Sequence, residues 1–158
     1  MAYYEPAEWI SQDDRLDSEV EEVLKIPKRA FPRRVGSGKS FVPPSAIELD
    51  ISVKDKTDVL RLTEWEDKQG RVFVNLEHAH RFFRKGHFNS GWHHNPDKRD
   101  IPPPHHVHFP TMRYPNLDYP STYAYPLSAD SDYLSALVRF CEDINIEIHG
   151  VSIPLLRR

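Results

Sequence analysis

The 158 residues (18.5 kDa) suit one domain. An aromatic content of 11% excludes a disordered chain, and the single Cys141 excludes an intrachain disulfide or a multi-cysteine zinc ribbon. The net charge of −3 is uneven. Residues 71–113 hold seven bases and three acids, between flanks of net −4 and −3, so a broad nucleic-acid-binding coat is excluded but a local basic region is not. No apolar run approaches the ~20 residues of a membrane span, and the start, Met1 to Pro6, lacks the basic and apolar regions of a signal peptide. A cytoplasmic protein without a membrane partner is expected.

Residues 1–12 show no clear period and read as an N-terminal arm; residues 13–158 read as a single domain. The spacing of Leu16, Val20, Val23 and Leu24 predicts a helix over 13–25, capped by Asp13 or Asp14 and stopped by Pro27. Residues 26–45, rich in Pro, Gly and bases, predict a loop. Period-2 alternation predicts strands over 46–53, 59–65, 71–76 and 78–85, with a tight turn at Gly70 and a core of Ile47, Leu49, Ile51, Leu60, Leu62, Val72 and Val74. In the last of these strands, His80, Phe82 and Arg84 fall on one side and Ala79, Arg81, Phe83 and Lys85 on the other. A polar, Pro-bounded stretch over 86–104 precedes short strands at 105–109 and 122–127. A helix over 129–143 follows, with Ser128 or Asp130 as cap and Leu134, Leu137, Val138 and Cys141 as its core face, and a strand over 144–148 ends the series. The order predicts an α+β domain with a mainly antiparallel sheet.

Eight of the nine histidines lie between His78 and His108. If His105-His106-Val107-His108 is a strand, His106 and His108 share one face and His105 and Val107 the other. Two imidazoles on one face can ligate a metal, act in metal-free catalysis or anion binding, or serve as structural donors to loop carbonyls. Upstream, Asn95-Pro96-Asp97 is a turn signal that can bring His93 and His94 beside that strand, or simply reverse the chain. The run His80 to Lys85 alternates bases and aromatics, which fits either phosphate and base binding or an ordinary solvated strand. No GxxxxGK[ST] loop, GxSxG elbow or HExxH pair occurs, and Cys141 sits at a packing position.

Leu24-Lys-Ile-Pro-Lys28, Asn95-Pro-Asp97, Pro104-His-His-Val-His108 and Tyr123-Ala-Tyr-Pro-Leu127 together resemble a family of small bacterial and prophage proteins that share an NPD turn, a PHxH strand and an AYPL strand, over about residues 20–147. The chain departs from that pattern at Lys98, where a glycine would follow NPD, and in the longer loop from Phe109 to Ser121. That family implies no particular activity. More loosely, residues 103–143 resemble TumE-type toxins of toxin–antitoxin pairs, which implies an RNA-directed toxin. The corresponding expectation is a small endoribonuclease: His106 and His108 as base and acid, Arg84 holding the phosphate, and Arg81, His93, His94 and His105 contacting the substrate, with RNA and an antitoxin or host protein as partners. No cofactor is assigned. A non-enzymatic binding module and a metal-dependent phosphoesterase using the same histidines are the alternatives.

Overall fold

The computed structural model describes residues 6–32, 46–127 and 132–147. It is an α+β fold with a mostly antiparallel sheet. In chain order the elements are a 3-10 turn Pro6–Trp9, α1 Ser18–Lys25, β1 Lys28–Pro32, β2 Ile47–Val53, β3 Val59–Glu66, β4 Val72–His78 and β5 Arg81–Phe88. They continue with β6 His93–His94, β7 Asp100–Ile101, β8 His106–His108, β9 Ala124–Pro126, α2 Tyr133–Asp143 and β10 Ile146–Glu147. Eight strands pair in the order β10-β1-β2-β3-β4-β5-β8-β9, and β6 pairs only with β7. Of these pairings, β1 with β10 is parallel.

Both helices cover one face of the large sheet. On that face β2 to β4 present the alternating apolar set Leu49, Ile51, Leu60, Leu62, Val72, Val74 and Leu76, all buried; Ile47, at the strand start, is half-buried. α1 is tied to β5 by Glu21, whose carboxylate accepts from Arg84 at 2.7 Å, and by its cap Asp17, which pairs with Arg81. α2 lays Leu137 and Phe140 on the same face, and Tyr133 donates to Glu64 at 2.5 Å. Gly86 of β5 permits this approach: a Cβ there would meet Phe88 at 2.7 Å and Phe140 at 3.3 Å. Lys28, fully buried beside both helix ends, donates its three ammonium protons to the carbonyls of Leu24, Ile26 and Ile144 at 2.6–2.7 Å. Burial draws this amine down to about 7, while three carbonyl acceptors favour its charged form.

Several sequence expectations change here. The helix over 13–25 begins only at Ser18, with Asp17 as its cap; Asp13 and Asp14 instead bind the side chain and backbone of Arg113. The loop expected over 26–45 contains strand β1, and its remainder, 33–45, lies outside the described residues. The strand expected over 78–85 straddles a hairpin turn: Ala79 and His80 both have positive φ (49° and 67°), the signature of a two-residue primed turn, so β4 ends at His78 and β5 starts at Arg81. A β-bulge opposite Leu76 and Glu77 then inserts one extra residue into β5. Phe83 and Arg84 consequently both turn inward, and the alternation expected along this strand breaks between them. Cap candidates Ser128 and Asp130 lie outside the described residues; Asp132 caps α2 by accepting from Ser135 N–H at 2.8 Å. On α2, Leu137 and Cys141 are buried and Val138 is half-buried, but Leu134 is exposed, because the helix turns Ala136 and Phe140 to the sheet instead.

Candidate metal centre

The other face of the sheet carries the histidines. Register decides which ones: His87 of β5 stands opposite His106 of β8, and Lys85 opposite His108. Alternation along β8 then sends His106 and His108 to this face and Val107 to the helix side. The three rings pack with centroids 4.7–5.0 Å apart. One ring nitrogen from each of His87, His106 and His108 lies within 4.8 Å of the others, the one such group among the described residues.

His93 joins from outside the large sheet. Its ring stacks on His106 at 5.2 Å and meets His108 edge-on at 4.5 Å. The Asn95-Pro96-Asp97 turn places it there. Asn95 is buried, and both ends of its side-chain amide pair with the backbone of Ala124 in β9, at 2.8 and 3.0 Å, so the turn docks on the sheet edge. Thr122 links two of the rings: its carbonyl accepts from His93 Nε2–H at 2.9 Å, and its hydroxyl lies 2.8 Å from His108 Nδ1. The tautomer in which His108 Nδ1–H donates to that hydroxyl leaves Nε2 with its lone pair. His106 Nδ1 is buried without a hydrogen-bond partner.

Electrostatics keep the cluster neutral. Burial pulls His87 down to about 4 and His106 to about 2, and holds His108 well below and His93 below the ordinary imidazole value; the rings repel one another's charge as well. The positive charge of Lys85 depresses His87 and His108 further, and Arg71 acts on His87. Neutral imidazoles with free lone pairs are the form that binds a transition metal. A zinc ion held by three histidines retains a fourth position for water, at zinc–nitrogen distances of about 2.0–2.1 Å.

Of the residues singled out in the sequence, His106, His108 and His93 come together. His94 alternates outward from β6 and pairs with Asp100 at 2.5 Å on the surface. His105 lies on the helix side, where it packs against Phe88 and accepts from Asn89 N–H at 3.1 Å. Arg84 and Arg81 also point to the helix side, paired with Glu21 and Asp17, so the structure does not bring either guanidinium to the histidines. His87 was not among the expected site residues. Its signal was the continuation of β5 beyond Lys85 to Phe88, three residues past the expected end of the strand. Among the described residues no helix is long and apolar enough to cross a membrane. Comparison of the chain with family models, curated proteins and solved structures finds no match.

Proposed function

We propose that the protein is a metal-dependent phosphoesterase whose ion is held by His87, His106 and His108. The observation that carries this reading is the convergence of three ring nitrogens from two adjacent strands within 4.8 Å. A bound divalent ion supplies a water of lowered pKa and polarises a phosphoryl oxygen. Lys85 and Arg71 both act on His87, although Arg71 is paired with Asp67 at 2.6 Å and Lys85 lies 3.5 Å from Asp118, so an anionic ester would compete with these carboxylates for their charge. The metal-free ribonuclease reading uses the same rings as acid and base. It is less well supported, because a general acid must carry a proton near neutral pH and burial holds His106 at about 2. RNA stays within the substrate class as one phosphodiester among others.

The test is metal analysis of purified protein and titration with Co(II), whose visible spectrum reports coordination. One equivalent of ion should bind to the wild type, and His106→Ala should lose more affinity than the roughly 10–100-fold caused by removing an outer partner of a metal ligand. Hydrolysis of bis(p-nitrophenyl) phosphate should disappear with chelator. Unchanged metal binding in both His106→Ala and His87→Ala would sink the proposal.

A further inference from the structure

A second feature of the histidine-bearing sheet face continues from the histidines. Trp65 of β3 stands opposite Phe73 of β4, Phe73 opposite His87, and His87 opposite His106. These pairs form one row across four strands. Trp65 and Phe73 stack with centroids 5.2 Å apart and planes 23° from parallel, and Phe73 meets His87 edge-on at 5.2 Å. Both aromatic side chains are half-buried, on the face that the helices leave open. The next row on the same face runs Thr63, Asn75, Lys85, His108. Asn75 is only 6% exposed, and its Oδ1 accepts from nothing. It stands two residues along β4 from Phe73 and opposite Lys85, an acceptor without a donor beside an aromatic pair.

We infer that Trp65 and Phe73 are the shelf for a planar ring of the substrate, whose anionic ester lies at the His87–His106–His108 site, so that the substrate class is a small phosphoester bearing an aromatic or heteroaromatic ring. This rests on the metal-site reading for the position of the ester. The dimensions agree: neighbouring strands are about 4.8 Å apart, so Phe73 lies one strand from His87 and two from His106, the reach from a nucleobase or aryl ring to a phosphate one sugar away. Asn75, whose buried Oδ1 has no partner, and Lys85, whose ammonium lies 3.5 Å from the Asp118 carboxylate, stand in the row next to this shelf. A stacked cross-strand pair also occurs simply to stabilise a sheet, and the experiment separates the two roles.

Binding of AMP and of ribose 5-phosphate is compared by calorimetry, on zinc-loaded and on chelator-treated protein. Stacking should make AMP bind at least about fivefold more tightly than ribose 5-phosphate. Phe73→Leu and Trp65→Leu should each erase most of that preference, Trp65→Tyr should keep it, and all three should retain one equivalent of zinc. Equal affinity of the wild type for the two ligands overturns the shelf, and this comparison needs no variant to fold. Absence of zinc binding overturns the metal reading alone, since the preference for AMP is then read in the chelator-treated arm.

Discussion

Lys98 is the residue at which the sequence pattern and the backbone meet most directly. It follows the Asn95-Pro96-Asp97 turn with φ of +69°, a left-handed conformation in which a Cβ is disfavoured. The turn needs that conformation: Lys98 N–H donates to the Asn95 carbonyl at 2.8 Å, and Asn95 N–H to the Arg99 carbonyl at 2.9 Å. The side chain is exposed. Lys98→Gly should therefore stabilise the protein by about 1 kcal/mol, less the extra entropy of glycine in the unfolded chain. Urea denaturation checks this, and a loss of stability would mean that Lys98 contributes contacts beyond its backbone. Glycine at this position would adopt that backbone without the cost a Cβ imposes.

At the scale of elements, α2 shows how periodicity can find a helix yet misplace its face. The spacing of Leu134, Leu137 and Cys141 is regular, but Leu137 is fully buried while Leu134 is 37% exposed. Phe140 and Gly86 settle the rotation, because the helix comes closest where β5 has no side chain. Leu137→Ala should cost about 2–5 kcal/mol and Leu134→Ala less than about 1 kcal/mol; similar losses from both would contradict this packing. The meander from β2 to β4 was legible because its alternation is uninterrupted and its turns carry Gly70 or short polar links. β1 was not, because Pro27 and Pro32 bracket it and its partners are distant in sequence: β2 across residues 33–45, and β10 at the other end of the chain. The turn at Ala79 and His80 was hidden for a local reason, since it contains none of the Gly, Asn or Asp that mark such turns in a sequence.

At the scale of the molecule, the sheet separates two chemistries. One face is packed by helices over an apolar core with charged pairs at its rim; the other holds a group of imidazoles that burial keeps uncharged. His106 and His108 were legible as a pair from their spacing, but the partnership with His87 depended on strand register and that with His93 on the docking of Asn95, neither of which a sequence pattern specifies. Neutral burial has a global consequence for metal-free protein. In the unfolded chain these histidines take up protons near pH 6.5; in the fold His87 does so only near 4 and His106 near 2. The unfolded state therefore binds more protons as pH falls, so their contribution is complete above about 6.5 and is lost progressively below it. For His87 alone the displacement corresponds to about 3 kcal/mol. Asp143, raised by burial to about 6, works in the opposite direction as pH falls from 6 toward 4, but as a single group. Urea midpoints in the presence of chelator should drop between pH 7 and pH 4.5, and His87→Gln should flatten that slope. A midpoint independent of pH across this range would mean that the rings are not held neutral.

The bulge in β5 gives the hairpin an uneven tolerance for changes of length. Phe83 is the surplus residue: Phe82 faces Glu77 and Arg84 faces Leu76, so a chain lacking Phe83 could still pair every later residue as it pairs now, at the loss of one buried ring. Loss of residue 85 or 86 would instead have to be absorbed by reversing the sides of the residues between it and the bulge or of those after it. In the second case His87 exchanges places with its neighbours, and the histidines of β8 lose their counterpart. For a lineage of such proteins, a single-codon deletion at the bulge would leave the register of the site untouched, whereas one a few codons later would keep it only by turning over the residues in between.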